Sequence, residues 1–547
     1  MLLIQSLLSD LILASVQNAQ SAAALPEFEL PSEAPINRPK QSDWGEFSSA
    51  LGMQLARPAR KNPLKIAEIL IQHIPDSEIV GAVTVSPPGF VNFTLAAAWL
   101  QSQMETILQA GSSYADLDLG KGASAQVEYV SANPTGPLTV GHGRGGVLGD
   151  TLANLLEAYG YEVTREYYFN NAGQQMRNLG ESLRLRYLEA LGEEIELPDG
   201  YYKGEYLIET GQALAAEHGE DLRAAGWEHF KDLAEEAMSG QQKDTLTRLD
   251  IFMDVYFNEH SLYEDGSIER VRESLSANDY IYEEDGALWF AATKLGASKD
   301  RVVIKSSGEP TYLFPDIAYH RNKLDRGFKL VVDVLGADHK DQFPDVQRGV
   351  QALGYDASRL KMLMNQFITI KGERMSKREG HFTSLNDLID EVGGDVVRFF
   401  MLMRSAESHL EFDLELARER SDKNPVFYVQ YAHARICSIL RKAEQEGFSP
   451  WDGDASLLVH PSELALVRAL LELSEVIDLC VRELAPHHLT TYARELASTF
   501  HAFYRDCRVL DSDAPELTRS RLKLVTAARA GLARTLGLIG VAAPESM

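Results

Sequence analysis

At 547 residues the chain is long enough for roughly three to four domains, and its 45% hydrophobic and 24% charged residues are ordinary for a globular protein. The 53 basic and 80 acidic residues give a net charge of −27, which argues against a generic basic nucleic-acid binder but still permits recognition through local patches. Three widely spaced cysteines form no C-x-x-C pair and no zinc-ligand spacing. We therefore expect no disulfide framework, no metal site and a reducing, cytoplasmic compartment.

Residues 1–112 predict a small α/β module. The N-terminal apolar run resembles a secretory leader, but it lacks a basic start, contains Asp10 and repeats leucines at helical spacing, which favours an amphipathic helix. Further helices are expected over 46–55 and 62–74, followed by two strands around the turn at 87–89. No later segment has the about 18 uninterrupted apolar residues of a membrane span, so we expect no membrane association.

Residues 127–160 form the stretch around which the chain is organised. A short β-type run leads into a turn rich in Pro, Gly and Asn, and a helix-period segment then ends at Gly160. The β-forming run at 162–169 completes a β-α-β unit, which sets a helix N-terminus against a phosphate. His142 stands at that helix start, where an anion is favoured. An ordinary tight strand-to-helix turn explains the spacing about equally well.

Further strands of a parallel sheet are expected at 301–304, 329–335 and 361–370, which makes 175–298 an insertion that splits one sheet domain. From residue 384 onward nearly every run is helical. Residues 421–547 contain 14 basic and 16 acidic residues, so this helical part is the part most able to approach a polyanion.

A second polar loop follows the strand that ends at Ile370. It concentrates cations and a hydroxyl, in Arg374, Ser376 and Lys377, as a clamp on a developing pyrophosphate requires. Taken alone, a solvated basic loop is the better interpretation.

The string SANPTGPLTVGHGRGGVLGD resembles the HIGH region of class I aminoacyl-tRNA synthetases and, over its full length, that of arginyl-tRNA synthetases. RMSKR is similar to the KMSKS loop of the same class, with Lys377 at the family's lysine position and Arg374 in place of the leading lysine. Two such motifs in this order are much more specific than either alone. The family pattern ends His-x-Gly-His, whereas here Thr139 replaces the first His and brings a hydroxyl without charge.

The resemblance implies an α/β multidomain fold. It comprises a small α/β N-terminal module (1–112) that contacts the tRNA elbow, a Rossmann-like parallel-sheet catalytic domain (113–383), a helical connector (384–420) and an all-α anticodon-binding domain (421–547). It also implies ATP-dependent activation of L-arginine to arginyl-adenylate and transfer to the 3′-terminal adenosine of tRNA(Arg). ATP is then a substrate accompanied by Mg²⁺, and the family is often monomeric.

Matching positions imply the site residues. His142 and Lys377 would be catalytic. The ATP-binding residues would be Pro134, Gly136, Thr139, Gly141, His142, Arg374, Met375, Ser376 and Lys377. The arginine-binding residues would be Glu128, Asn133, Tyr312, Asp316 and His339. The tRNA-binding candidates are Tyr431, Arg435, Tyr492, Tyr504 and Arg508. Without the resemblance, a strand-edge charge, a packed aromatic, a helix N-cap and a core histidine would be the better interpretations of Glu128, Tyr312, Asp316 and His339.

Two alternatives remain open at this stage. The chain could be a class I synthetase for another amino acid, or a catalytically decayed tRNA-binding paralogue. Thr139 favours the decayed paralogue, whereas the retention of Lys377 and Glu128 argues against it. The insertion is too short for a separate editing domain, and a polar pocket can reject wrong substrates without one.

Overall fold

The computed structural model describes residues 3–39, 44–371 and 384–547. The N-terminal module is a four-stranded antiparallel sheet of order β1-β2-β4-β3, packed against helices. Its elements are α1 (Ile4–Ser21), β1 (Ile36–Asn37), β2 (Phe47–Ser49), α2 (Leu51–Gln54), α3 (Ala56–Ala59), α4 (Pro63–Gln72), β3 (Val80–Ser86), β4 (Phe90–Leu95) and α5 (Ala97–Ala110).

The first helix, the helix within 62–74 and the hairpin around 87–89 are confirmed. The helix predicted over 46–55 is wrong, because its first half is strand β2 and only 51–54 are helical. Phe47 is 1% exposed and pairs with Phe93 of β4, so pairing within the sheet outweighs the local helical pattern.

The central domain contains a five-stranded parallel sheet of order β12-β11-β5-β6-β7. The strand order reverses direction at β5, and the crevice at the carboxyl ends of β5 and β11 is where ligands bind in such sheets. The elements are β5 (Ser124–Glu128), α6 (Val140–Ala158), β6 (Glu162–Phe169), α7 (Gly173–Ala190), α8 (Glu205–His218), α9 (Trp227–Thr247), β7 (Val255–Asn258), α10 (Ser261–Glu264), α11 (Ser267–Ala277), β8 (Ile281–Glu284), β9 (Ala287–Phe290), β10 (Arg301–Ile304), α12 (Leu313–Asp325), β11 (Leu330–Gly336), α13 (Phe343–Ala352), β12 (Leu360–Asn365) and β13 (Ile368–Ile370).

Three strand assignments differ from the sequence prediction. The strand expected over 361–370 is divided into β12, which lies in the parallel sheet, and β13, which lies outside it. Strand β10, expected in the parallel sheet, instead pairs with β9 in a separate antiparallel sheet of order β10-β9-β8. Strand β7, inside the predicted insertion, pairs with β6 in the main sheet. Its four residues are half-buried or exposed, so it lacks the continuous apolar run expected of a parallel strand.

The remaining residues form a mainly helical part, as predicted, with one short strand that pairs in parallel with β13. Its elements are α14 (Leu385–Val392), α15 (Gly394–Leu402), β14 (Leu410–Phe412), α16 (Leu414–Arg418), α17 (Pro425–Gln445), α18 (Pro461–Glu483), α19 (His488–Asp506) and α20 (Pro515–Ile539). One hydrophobic cluster runs from α1 through α6 to α20, so the three parts share a core. No helix within the described residues is long and apolar enough to cross a bilayer.

Candidate active site

The chain leaves β5 through a strained turn. Val130 and Ser131 have φ of 67° and 43°, in the left-handed region that a β-branched residue rarely adopts. This conformation allows the Ser131 hydroxyl to donate to Oε1 of Glu128 at 2.8 Å and to accept the backbone N–H of Tyr168 at 3.2 Å. The turn thereby fixes one oxygen of the Glu128 carboxylate.

The following loop is held by side chains from the helices after β6. Gln242 of α9 donates its amide to the carbonyls of Asn133 at 3.1 Å and Gly136 at 2.8 Å. Tyr206 of α8 donates its hydroxyl to the carbonyl of Thr135 at 2.8 Å. The helices that were predicted only as an insertion therefore fix the shape of the loop between β5 and α6. Pro134 is buried in this loop.

Helix α6 begins in a capping box. The Thr139 hydroxyl accepts the His142 backbone N–H at 3.3 Å, while Nδ1 of His142 accepts the Thr139 backbone N–H at 3.2 Å. Because Nδ1 accepts, the ring proton lies on Nε2, which is left to donate to a ligand. Burial lowers the pKa of His142, so the imidazole is neutral at neutral pH. Thr139 therefore has a structural role that the sequence did not predict.

Gly141 and Gly143 differ in what they accommodate. A Cβ on Gly143 would lie 2.5 Å from Leu385 of α14, so close packing explains this glycine. Among the described residues, a Cβ on Gly141 would meet only the Thr139 hydroxyl oxygen, at 3.6 Å, so packing against them does not explain this glycine. The carbonyl of Gly141 accepts from Asn365 at the end of β12, which ties the helix start to the far side of the crevice.

Three carboxylates lie close enough to interact electrostatically, and we call Glu128, Glu259 and Asp316 the acidic site. Burial, together with the charges of Glu128 and Glu259, raises the pKa of Asp316 to about 6, although His320 and His339 act to lower it. Oδ2 of Asp316 accepts the amide of Gln342 at 2.6 Å, and Oε2 of Glu259 accepts the hydroxyl of Tyr168 at 2.6 Å. Mutual repulsion of this kind is relieved by a cation, and the planar donors of a guanidinium match carboxylate geometry.

The other residues that were predicted to bind the substrate arginine surround the acidic site. Tyr312, just before α12, is 81% exposed and is therefore not the packed aromatic of the alternative interpretation. Asn133 accepts the backbone N–H of Asn170 at 3.0 Å, which fixes its side chain. His339 is exposed rather than a core histidine, and its charge lowers the pKa of Asp316. Asp316 itself lies within the first turn of α12 and is not its N-cap.

Glu259 and Gln342 are site residues that the sequence interpretation missed. Glu259 directly follows β7, which the sequence assigned to the insertion, and Gln342 immediately precedes α13. Recognising β7 as a strand of the parallel sheet would have placed Glu259 at the carboxyl edge, where ligands bind. The second motif, with Arg374, Met375, Ser376 and Lys377, lies outside the described residues.

On the helical part, the guanidinium of Arg435 lies between two half-exposed tyrosines, 4.7 Å from the ring centre of Tyr431 and 5.6 Å from that of Tyr504. Arg508 has an exposed side chain. Tyr492, by contrast, is 3% exposed and donates to a backbone carbonyl of α18, so its assignment as a base-stacking residue is wrong. The α19 helix turns Tyr492 toward the core and Tyr504 toward solvent.

Comparisons with known proteins agree with this arrangement. Residues 103–401 match the family model for the catalytic domain of class I tRNA synthetases (R). Residues 7–95 match the arginyl tRNA synthetase N terminal domain, and residues 429–547 match the DALR anticodon binding domain.

Curated relatives match over the whole chain. The Arginine–tRNA ligase of Prosthecochloris aestuarii is 46% identical over 555 residues, covering 99% of this chain and 100% of the relative. That of Dehalococcoides mccartyi is 43% identical, covering 100% and 99%.

Among solved structures, a putative arginyl-tRNA synthetase from Campylobacter jejuni is 33% identical with a TM-score of 0.77, covering 83% of this chain and 100% of that one. The Thermus thermophilus arginyl-tRNA synthetase, 23% identical with a TM-score of 0.79 and full coverage of both chains, supports the fold.

The family match over residues 103–401, which contain the parallel sheet and the loop-to-helix motif, identifies the class as the class I aminoacyl-tRNA synthetases. The catalytic-domain model, the N-terminal-domain model and the full-length relatives point to one amino acid within that class. The chain belongs to the arginyl-tRNA synthetase family, and a synthetase for a different amino acid is not favoured.

Proposed function

We propose that the chain joins L-arginine to tRNA(Arg) in two steps at the crevice between β5 and β11. Arginine and ATP first give arginyl-adenylate and pyrophosphate, and the 3′-terminal adenosine of the tRNA then takes the arginyl group. The acidic site carries this proposal, because its carboxylates interact with one another in the domain that also offers a helix start suited to phosphate. A guanidinium supplies a cation for Asp316 and Glu259, whereas Glu128 already pairs with Lys323.

In the first step the substrate carboxylate attacks the α-phosphorus in line, and the bond to pyrophosphate breaks. The protein mainly positions the reactants and stabilises charge on the leaving group. His142, through Nε2–H, and the N-terminus of α6 donate to phosphate oxygens. We assign stabilisation of the departing pyrophosphate to Lys377, with Arg374 and Ser376, on the strength of the motif.

Mg²⁺ enters this scheme as part of the substrate MgATP. The described part of the chain holds no group of three or more His, Cys, Asp or Glu side chains suited to a metal, so it offers no protein cage for the ion. Mg²⁺ characteristically keeps water and phosphate oxygens as ligands, which suits a role on the nucleotide.

In the second step a ribose hydroxyl attacks the adenylate carbonyl, and AMP leaves. We propose that Asp316 and Glu259 bind the guanidinium of the substrate, with Tyr312 beside it. Glu128 and Asn133 orient the backbone groups of the substrate arginine. His339 borders the same site. Two carboxylates that a neutral substrate leaves unpaired give strong discrimination against it.

The tRNA is proposed to contact both ends of the molecule. Tyr431 and Tyr504 expose rings on either side of Arg435, an arrangement suited to stacking on an unpaired base. The N-terminal module would meet the tRNA elbow, as in the family. We further propose that the chain acts as a monomer in the cytoplasm and that bound tRNA promotes activation.

ATP–pyrophosphate exchange with each amino acid, in the presence of tRNA(Arg), tests the proposal. We expect exchange with arginine alone and transfer of arginine to the tRNA. Exchange driven by another amino acid would contradict the arginine assignment. Retained tRNA binding with no exchange for any amino acid would identify a decayed paralogue.

A further inference from the structure

Three carboxylates form a row across the parallel sheet beneath the acidic site. The register of β11, β5 and β6 sets Asp333, Glu128 and Glu166 side by side on the face that α12 covers. Their exposures are 1%, 5% and 0%. Such a row is costly unless each carboxylate is paired, because buried like charges repel in a medium of low dielectric.

One ammonium group pairs with two members of the row. Lys323 of α12 is fully buried, and its Nζ lies 2.5 Å from Oε2 of Glu128 and 2.6 Å from Oδ1 of Asp333. The third carboxylate, Glu166, has separate partners, since it accepts from Arg326 at 2.5 Å and from the Tyr319 hydroxyl at 2.6 Å. By hydrogen bonding the row is therefore divided into a Glu128–Asp333 pair and a Glu166 with its own donors, although the charge of Lys323 also lowers the pKa of Glu166.

The Glu128–Asp333 pair is linked through His320 to Asp316 of the acidic site. Oδ2 of Asp333 lies 2.6 Å from Nε2 of His320, and Nδ1 of His320 lies 2.7 Å from the backbone carbonyl of Asp316. A carbonyl and a carboxylate oxygen both accept, so the His320 ring donates from both nitrogens. Although burial alone would raise it, the pKa of Asp333 is lowered by the charges of Lys323 and His320.

We infer that Lys323, Asp333 and His320 form a positioning relay that holds Glu128 and Asp316 in one rigid frame for arginine. The relay rests on the proposed assignment of the acidic site to arginine. With Lys323 on one oxygen of Glu128 and Ser131 on the other, the carboxylate cannot rotate. Such fixed orientation behind contact residues is what precise substrate geometry requires.

Charge balance agrees with this role. Lys323 and a doubly donating His320 offset Glu128 and Asp333, so the relay adds no net charge to the site. The uncompensated charge near the substrate then comes from Asp316 and Glu259. Within the described residues Glu259 forms no ion pair with a basic side chain, which leaves it for the guanidinium.

The test compares two isosteric neutralisations in the same row. Asp333→Asn breaks the relay, whereas Glu166→Gln removes a carboxylate of equal burial that has no bond to Glu128 or Lys323. We expect Asp333→Asn to raise the arginine KM about tenfold while the ATP KM changes by less than about twofold. Glu166→Gln is expected to leave both KM values within about twofold. If Asp333→Asn does not fold, as judged by circular dichroism, His320→Gln carries the same test.

A double-mutant cycle shows whether the relay acts through Glu128. In a Glu128→Gln background, Asp333→Asn should add less than about twofold to the arginine KM. Equal effects of Asp333→Asn and Glu166→Gln, or full additivity with Glu128→Gln, would overturn the relay. If Glu128→Gln alone leaves the arginine KM unchanged, the arginine assignment itself fails, and the relay fails with it.

Discussion

Asp316 is the residue in which the electrostatics of the site are most visible. Its pKa is raised to about 6 by burial, with further contributions from Glu128 and Glu259, so its ionised form is disfavoured in the free protein. At neutral pH the ionised carboxylate lowers the stability of the fold, and this cost disappears as the pH falls through about 6. A bound guanidinium reverses the preference and favours ionisation. Substrate and protein are thus electrostatic complements.

This coupling predicts a pH-dependent affinity. The arginine KM should rise as the pH falls below about 6, because protonated Asp316 no longer attracts the guanidinium. Measuring arginine and ATP KM values between about pH 5 and 8 checks it. The ATP KM should change much less, and Asp316→Asn should flatten the arginine profile. An unchanged slope in that variant would assign the effect to another group.

The packing of helix α6 against the sheet requires a residue without a side chain at position 149. A Cβ on Gly149 would lie 2.3 Å from Cγ of Tyr129, the residue that follows β5 and precedes the strained turn. The helix therefore packs against the sheet closely enough to exclude even a methyl group there. Because Tyr129 leads directly into Val130 and Ser131, the position of Glu128 depends on this contact.

Gly149→Ala should accordingly destabilise the protein by about 1–3 kcal/mol, since overpacking displaces the Tyr129 ring. Gly537→Ala is the matched control. A Cβ on this helical glycine of α20 would meet no described atom within 4 Å outside the backbone of its own helix. The control should be stabilised by about 0.5–1 kcal/mol through helix propensity. Urea unfolding followed by circular dichroism measures both. Equal shifts in the two variants would contradict the packing explanation.

Elements with strong periodicity could be predicted from sequence, and weakly patterned ones could not. The β5-loop-α6 unit and the helical part of the chain follow from apolar spacing. Strands β7 and β10 have four residues each, with too few buried positions to distinguish a sheet partner. The residues of the site differ in the same way. Glu128 and Asp316 could be predicted through motifs, whereas Glu259 and Lys323 are identified only by their tertiary contacts.

At the scale of the whole molecule, one arginine joins the catalytic domain to the helical part. Arg398 of α15 is 1% exposed and lies 2.5 Å from Oδ2 of Asp150 on α6. It also donates to the carbonyls of Leu249 at 2.6 Å and Ile539 at 2.7 Å. Three distant chain segments therefore meet at a single guanidinium.

Arg398→Met should lower the free energy of unfolding by about 3–5 kcal/mol, because it leaves the buried Asp150 with the more distant Arg165, at 3.8 Å, and the Tyr129 hydroxyl, at 3.5 Å, among the described residues. The exposed pair Arg223–Glu220 provides the control, and Arg223→Met should cost less than about 1 kcal/mol. Denaturant titration of both variants gives the comparison. A small loss in Arg398→Met would show that the shared hydrophobic core alone joins the domains.

The tRNA surface also belongs to this scale. Tyr431→Ala should raise the KM for tRNA(Arg) by about 5- to 150-fold, the range expected for loss of one stacked base. Trp451→Ala removes a more exposed aromatic from the same helical part and should leave that KM unchanged. Aminoacylation at varied tRNA concentration makes the measurement. Similar effects of both changes would argue against a specific stacking site at Tyr431.

The order of strands in the parallel sheet has a consequence for synthesis on the ribosome. Strand β5 pairs with β6 close behind it, but its other neighbour, β11, lies roughly 200 residues further along the chain. At typical translation rates that delay is about 10–40 s. During this delay the edge of β5 is unpaired, and Glu128 has no Lys323 to pair with. An unpaired strand edge of this kind is a template for pairing with a neighbouring chain until β11 is made.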